Sequence, residues 1–260
     1  MTLTATRPRV AVAVFPGTWS ERDFAHVATE VLGWEPRLVW HLETDLGAAD
    51  AVALPGGFAH GDHLRTGAIA RFAPVMDAVA AFASDGGPVV GICNGFQVLT
   101  EAQLLHGALQ KNAGLRFLCT TVEVEIASTR SALTNGAAVG DVLRLPINHF
   151  EGNYTCDAAT LERLRDGDCV VARYVDNPNG SLDDIAGISN EAGNVVGLMP
   201  HPERAVEAIL GSDDGAVLLR SLLAAAADRK GERDSLVDAA SGVSSGGGRA
   251  RRPPPALSRG

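Results

Sequence analysis

The chain has 260 residues, 46% of them hydrophobic and 20% charged, which is the composition of an ordinary globular protein with room for one large domain or two small ones. Its formal net charge is −9, and the part before Ser241 is more acidic still, because four arginines and no acidic residue follow, so no nucleic-acid-binding surface is expected. No apolar run approaches the roughly 20 residues that cross a bilayer, and no signal-peptide pattern opens the chain, which favours a cytoplasmic protein without membrane contacts.

The first half of the chain alternates short apolar runs with helical patterns. Apolar runs without polar alternation are typical of strands buried on both faces, and such strands occur in parallel sheets covered by helices. This half therefore predicts an α/β fold with a mostly parallel central sheet flanked by helices. The predicted strands are 9–15, 37–42, 49–57 and 88–92, and the predicted helices are 21–33, about 67–83 and one after Asn94.

The second half of the chain is richer in strands. Its strand-like segments follow one another with no long helix between them, which predicts an additional antiparallel strand region beside the parallel sheet. Turn-forming residues near Asn190 and Gly193 divide the last of these segments into two strands. The segments are 116–128, 141–150, 168–176 and 185–199.

The end of the chain divides into a helix and a tail. Residues 213–230 are rich in Leu and Ala and predict a final helix that packs on the sheet. Residues 231–260 are dominated by Gly, Ser, Pro and Arg, a composition that cannot bury a core. The sequence therefore predicts one domain over residues 1–230 and a disordered tail over residues 231–260.

A single cysteine lies in an unusual setting, where Gly91-Ile92-Cys93-Asn94-Gly95 joins an apolar strand to a helix. Glycines two residues before and two after the cysteine are typical of a nucleophile elbow, the tight turn that lifts a nucleophile over the edge of a sheet. The helix N-terminus that follows favours the thiolate, which is the reactive form. The alternative is that Cys93 is a small buried hydrophobic residue, as lone cysteines usually are. No CxxC pair occurs, so all four cysteines are expected to be reduced.

A cysteine nucleophile needs a base and a group that orients the base. Of the seven histidines only His201 has a distinctive frame, Met-Pro-His-Pro-Glu, directly after a predicted strand. Glu203 can hold the imidazole tautomer, so Cys93, His201 and Glu203 form a candidate triad. The frame also suits a rigid helix start with Pro202 in its first turn, and the two interpretations are compatible.

Acyl transfer also needs donors for the developing oxyanion. The backbone N–H of Asn94 follows the nucleophile directly, and the Leu-Pro-Gly-Gly-Phe loop can offer the N–H of Gly57 at the same sheet edge. Pro-Gly-Gly is also an ordinary turn. The nearby His60-Gly61-Asp62-His63 segment has metal-ligand residue types but no third ligand at a recognisable spacing, so no metal site is predicted.

Several segments together resemble the class I (triad) glutamine amidotransferases, whose fold is flavodoxin-like. The Asn-Gly-Phe-Gln that follows the cysteine, together with two further segments, is similar to the amidotransferase subunits of phosphoribosylformylglycinamidine synthase in particular. The resemblance runs from about Arg9 to Lys230. The general segments are GICNGFQ (91–97), PGGFAHGDHLR (55–65) and MPHPER (199–204), and the particular ones are HFEGNY (149–154) and NPNGS (177–181) followed by IAGISN.

The resemblance implies a glutaminase. Cys93 would attack the side-chain amide of glutamine, and His201, oriented by Glu203, would pass a proton to the leaving ammonia. Water would then hydrolyse the glutamyl thioester. The oxyanion hole would consist of Gly57 and Asn94.

The remaining features of the resemblance concern substrate binding and loop detail. Gln97 would help to hold the glutamine substrate. Within PGGFAHGDHLR, His60 and His63 stand where the family pattern has aromatic residues. This departure bears on the conformation of the loop, and it leaves the candidate triad unchanged.

The same resemblance implies partner chains. A large synthetase subunit, with a small bridging subunit, would use the ammonia for the ATP-dependent conversion of formylglycinamide ribonucleotide to formylglycinamidine ribonucleotide in de novo purine biosynthesis. The sequence has no GxxxxGK[ST] motif, so no cofactor is expected in this chain, and ATP and Mg²⁺ are expected on the synthetase subunit. The alternatives are a stand-alone α/β cysteine hydrolase, a stress-response protein of the same type, or a regulatory subunit with an inactive site.

Overall fold

The centre of the fold is one large sheet, and a two-stranded sheet lies beside it. This computed structural model describes residues 7–243. Its strands are β1 (Arg9–Val14), β2 (Glu35–Trp40), β3 (Ala51–Leu54), β4 (Val89–Ile92), β5 (Ala108–Gln110), β6 (Leu118–Ile126), β7 (Val142–His149), β8 (Asn153–Thr155), β9 (Val170–Tyr174), β10 (Ile185–Ser189) and β11 (Val195–Leu198).

The large sheet has nine strands in the order β2-β1-β3-β4-β11-β10-β9-β6-β7. The first five run parallel to one another, and each later neighbour pairs antiparallel. The predicted α/β fold, mostly parallel with an antiparallel addition, is confirmed. Strands β3 and β4 are buried at every position, which explains their uninterrupted apolar sequences.

Helices cover the large sheet, and the first three alternate with its parallel strands. No helix within residues 7–243 is long and apolar enough to cross a membrane. The α-helices are α1 (Glu21–His26), α2 (Pro74–Ser84), α3 (Asn94–Glu101), α4 (Ala158–Asp166) and α5 (Gly215–Val243), and a π-helical turn, Val27–Val31, continues α1.

The helix predicted over about 67–83 is shorter than expected. A separate 3₁₀ turn forms at Ala70–Phe72, and α2 begins only at Pro74. The residue before a proline is driven out of the helical region, and Ala73 is extended at φ −68° and ψ 141°. Proline itself suits the first helical position, so Pro74 starts a helix and cannot continue one.

The middle of the chain contains a helix that the sequence analysis did not predict. Helix α4 has nine residues and lies between β8 and β9. The Asp157 side chain caps it by accepting a 2.7 Å hydrogen bond from the Thr160 N–H. This start could have been predicted, because an Asp at a helix N-cap accepts from the N–H three residues on, and a Thr-Leu-Glu-Arg-Leu run with helical spacing begins at that position.

The last helix extends further than predicted. Helix α5 continues through Val243, whereas the sequence predicted its end near Lys230 and a disordered tail from Gly231. Residues 231–243 contain no proline, and an isolated glycine costs a helix only about 1 kcal/mol relative to alanine, so the composition does not break the helix there. Residues 244–260 lie outside the described residues, and the tail remains a prediction for them.

The parallel order brings three loops to one edge of the sheet. Strands β3, β4 and β11 are adjacent and parallel, so their carboxyl ends lie side by side. The loops that begin at Pro55, Cys93 and Met199 leave the sheet at this edge. Ligands of open α/β sheets bind at such an edge.

Candidate active site

The turn between β4 and α3 holds Cys93 in a strained backbone conformation. Its φ and ψ are 51° and −104°, which residues other than glycine rarely adopt. The turn is tight, because a Cβ at Gly91 would lie 2.6 Å from the carbonyl carbon of Gly95, and a Cβ at Gly95 would overlap the carbonyl oxygen of Leu54. Only glycine fits at these two positions, so the chain has the nucleophile-elbow geometry that the sequence predicted.

A buried histidine–glutamate pair lies in the loop that follows β11. His201 Nδ1 and Glu203 Oε1 are 2.6 Å apart, and both side chains are almost fully buried. The backbone N–H of His201 donates to the Pro146 carbonyl oxygen, which fixes the loop against β7. Pro202 begins a short 3₁₀ turn, so the rigid-start interpretation of this frame holds together with the proposed pairing.

The charges around His201 set its protonation state. Burial by itself lowers the pKa of the imidazole, but the negative charges of Glu203 and Cys93 outweigh burial and raise this pKa to about 10. Cys93 is 4% exposed. The structure therefore brings the three predicted triad residues into one buried cluster, although their catalytic roles remain predictions.

Gly56, which the sequence analysis did not single out, lies between two members of the triad. A Cβ at Gly56 would lie 2.6 Å from His201 Cε1 and 3.5 Å from the Cβ of Cys93. The close packing of this backbone against the imidazole leaves no room for a larger residue. The Pro-Gly-Gly pattern was the only signal in the sequence.

The substitution Gly56→Ala is expected to lower the turnover number of this candidate active site about a hundredfold, because the added methyl group displaces the His201 ring, and misplacement by about 1 Å can have this effect. The matched control is Gly114→Ala, where an added Cβ meets nothing within 4 Å. Steady-state kinetics of the two variants test the expectation. Equal activities would show that the His201 ring tolerates the methyl group.

The backbone N–H groups of the two predicted oxyanion donors, Gly57 and Asn94, donate to no backbone acceptor within the described residues. Gly57 forms an antiparallel bridge with Thr18, and the hydrogen bonds of this bridge come from the N–H groups of Trp19 and Phe58. Asn94 is the first residue of α3, so its N–H has no acceptor inside the helix. This arrangement is compatible with the predicted oxyanion hole.

The loop after Gly57 is strained. His60, Asp62 and Leu64 have φ values of 55°, 52° and 72°, in the left-handed region that disfavours their side chains. The His60 ring packs edge-on against the His41 ring, with 5.2 Å between the ring centroids, and this contact supports the loop.

Within residues 7–243 no cluster of three or more His, Cys, Asp or Glu could hold a metal ion.

A cavity of about 160 Å³ opens beside the nucleophile. Gly57, Cys93 and Gln97 line it, whereas the predicted oxyanion donor Asn94 is not among its lining residues. The side-chain amide of Gln97 accepts a 2.9 Å hydrogen bond from Asn94 Nδ2 and donates to the Glu151 carbonyl oxygen. A larger cavity of about 490 Å³ borders Glu203 but not Cys93, so the smaller cavity is the candidate substrate site.

The chain's similarity to known proteins agrees with this geometry. Residues 7–213 match the CobB/CobQ-like glutamine amidotransferase domain. Phosphoribosylformylglycinamidine synthase subunit PurQ of Rubrobacter xylanophilus is 56% identical over 218 residues, which cover 84% of this chain and 99% of that protein. The chain belongs to the PurQ family of glutamine amidotransferases.

Further PurQ-family relatives cover the same part of the chain. PurQ of Lacticaseibacillus casei is 53% identical over 83% of this chain and 94% of that protein. A chain of the PurLQS structure from Thermotoga maritima superposes with a TM-score of 0.77 and 41% identity, over 84% of this chain and 98% of that one. The predicted resemblance to class I amidotransferases, and to the PurQ family within them, is confirmed.

The cavity wall contains further residues to which the sequence analysis gave no role. The Asn148 carbonyl oxygen accepts a 3.8 Å contact from Cys93 Sγ. His149 and Glu151 also line the cavity, and both lie in the HFEGNY segment, which contributed to the resemblance without an assigned function. Asp62 reaches the cavity from the strained loop. The loop after β3 and the end of β7 meet beside the elbow, and this packing brings the residues to one cavity.

Proposed function

We propose that this chain is the glutaminase subunit of phosphoribosylformylglycinamidine synthase, hydrolysing glutamine to glutamate and ammonia. The observation that carries this proposal is the placement of Cys93 on a nucleophile elbow, in one buried cluster with the paired His201 and Glu203. The relatives named PurQ support the choice of this synthase among the amidotransferases.

In the first step, Cys93 Sγ attacks the side-chain amide carbon of glutamine and forms a C–S bond. The amide oxygen becomes an oxyanion, which the N–H groups of Gly57 and Asn94 stabilise. The His201 imidazolium then gives its proton to the amide nitrogen, the C–N bond breaks, and ammonia leaves.

In the second step, water hydrolyses the glutamyl thioester. His201, now neutral, removes a proton from the water as its oxygen attacks the thioester carbon. The C–S bond breaks, glutamate leaves, and the Cys93 thiolate forms again beside the imidazolium. Glu203 holds the ring orientation through both steps, because its carboxylate accepts the Nδ1–H.

The ammonia is used on a partner. We place the ATP-dependent step, with its Mg²⁺, on a large synthetase subunit accompanied by a small bridging subunit, where formylglycinamide ribonucleotide becomes formylglycinamidine ribonucleotide. The PurLQS structure that this chain resembles supports such an assembly. The four free cysteines support a reducing compartment, the cytoplasm.

The isolated chain is expected to be a poor glutaminase and to become efficient only in the complex. The oxyanion donor of Gly57 lies at the start of the strained loop, whose conformation a partner surface can set. Two loop states that differ by about 3 kcal/mol change the active fraction roughly a hundredfold. Coupling also prevents the loss of ammonia, which is largely protonated in water at neutral pH.

Glutamine hydrolysis at saturating glutamine, measured with and without the synthetase subunits, tests both the activity and its coupling. The complex formed with the Cys93→Ala variant gives the background rate. Product formation from glutamine by the complete assembly would support the assigned synthase. Equal hydrolysis with and without partners would favour a stand-alone cysteine hydrolase.

A further inference from the structure

Two carboxylates line the cavity beside Cys93, and no cation among the described residues neutralises them. These are Asp62 and Glu151, and none of the lining residues within 7–243 is a lysine or an arginine. Among the described residues neither carboxylate forms an ion pair. Glu151 Oε2 accepts a 3.0 Å hydrogen bond from Thr66 Oγ1, and Asp62 Oδ1 accepts a 3.4 Å contact from Asn94 Nδ2.

The charge of Glu151 acts on Asp62. Partial burial, together with the charge of Glu151, raises the pKa of Asp62 to about 6. When two negative groups are partly removed from water and lie near one another, a cation bound between them lowers their electrostatic repulsion and offsets the cost of burying their charges. Because the part of the chain that the structure describes lines the cavity with no lysine or arginine, a cationic ligand fits this site.

A second, independent feature of the same cavity points to a bound polar ligand. His149 lines the cavity and is 3% exposed, yet neither of its ring nitrogens has a hydrogen-bond partner among the described residues. Burial, followed by the charge of His201, lowers the pKa of His149 to about 4, so the ring is neutral and does not neutralise the carboxylates. Buried polar atoms normally have partners, and a ligand in the cavity can supply them.

We propose that Asp62 and Glu151 bind the α-ammonium group of the substrate glutamine while its carboxamide lies at Cys93. This inference rests on the proposed glutaminase function. Glutamine carries a cation at one end and the reacting amide at the other, and both carboxylates line the same cavity as the nucleophile. The same pair disfavours substrates in which the amino group is absent or acylated, so it selects the free amino acid.

The test compares two substrates in the assembled synthase, built with the full chain. The substrates are L-glutamine and glutaramate, which is glutamine without its α-amino group. Asp62→Asn and Glu151→Gln are each expected to raise KM for glutamine about tenfold or more. Each substitution removes one charge of a partly buried charge pair, and the loss of such a pair weakens binding by at least this factor. The kcat for glutamine should stay nearly unchanged, since binding remote from the amide is lost equally from the ground and transition states.

The decisive quantity is the ratio of kcat/KM for glutamine to kcat/KM for glutaramate. The ratio should fall at least tenfold in either variant, since glutaramate makes no contact that the substitutions remove. Asp45→Asn is the matched control, because Asp45 is 81% exposed, pairs with Arg37 and lies outside the cavity lining, so its ratio should match that of the wild type. Equal rates of Cys93 alkylation by iodoacetamide, which has no ammonium group, in the wild type and in each variant show that the surroundings of the nucleophile are retained.

Equal losses with both substrates would overturn the proposal, because they would show that the carboxylates only support the loop. A wild-type ratio near one would also overturn it, since the amino group would then contribute nothing. Absence of glutamine hydrolysis by the wild-type assembly would instead contradict the proposed function itself.

Discussion

Replacement of Cys93 by alanine is expected to abolish glutamine-dependent synthesis by the assembled complex and to leave ammonia-dependent synthesis intact. The substitution removes the only nucleophile at the elbow, so no glutamyl thioester forms. The acceptor is activated on another chain, so added ammonia bypasses the loss. Initial rates with glutamine and with ammonium chloride as alternative nitrogen donors measure both effects.

The matched control for Cys93 is Cys119→Ala, because Cys119 is exposed and lies outside the cavity lining. This variant should use glutamine as the wild type does. An electrophilic glutamine analogue should add its mass to Cys93 alone. Full glutamine use by Cys93→Ala would contradict the assignment of the nucleophile, as would attachment of the analogue to Cys119, Cys156 or Cys169.

The substitution His201→Ala is expected to lower glutamine turnover about a thousandfold, within the range of about 10² to 10⁴ that a positioned acid and base contributes. Without the imidazole, the leaving ammonia has no proton donor and the water in the second step has no base. Rapid-quench measurement of thioester formation separates the two steps. His106→Ala is the control, since its exposed side chain lies outside the cavity lining. An unchanged rate of thioester formation would mean that His201 is only structural, and His149 would become the next candidate.

The substitution Glu203→Gln should have a smaller effect than His201→Ala, about tenfold, because a neutral amide can still accept the Nδ1–H, as in cysteine enzymes with an asparagine in this role. Glu203 is one of the two charges that raise the pKa of His201, so its removal lowers that pKa. The imidazolium is then lost at a lower pH as pH rises. The alkaline limb of the pH–rate profile should therefore move to lower pH, and a limb at the wild-type position would contradict this pairing.

The parallel half of the fold was predicted correctly, and the elbow and the His-Pro-Glu frame that make up the candidate triad were recognised in the sequence, because each depends on a local pattern. Strands such as β3 and β4 are buried on both faces, so their uninterrupted apolar sequences are unambiguous. The glycines around Cys93 are required by contacts within a few residues or across one neighbouring strand. Such short-range constraints leave a direct record in the sequence.

Element ends were predicted less well, because they depend on small free-energy differences. The helix expected from residue 67 begins at Pro74, since proline favours a first position over an interior one. Helix α5 passes Gly231 because one glycine costs only about 1 kcal/mol. Neither difference moves a residue of the site.

The properties of the substrate cavity follow from the tertiary structure. Asp62 and Glu151 are 89 positions apart in the sequence, and only the packing of the loop after β3 against the end of β7 brings them to Cys93. The contact between Gly56 and His201 likewise joins the ends of two different strands. The elbow and the His-Pro-Glu frame could be recognised in the sequence because residues next to one another in the chain determine them. Unpaired charge, orphaned ring nitrogens and close backbone contact arise only when distant segments share one space, so the folded chain alone decides them.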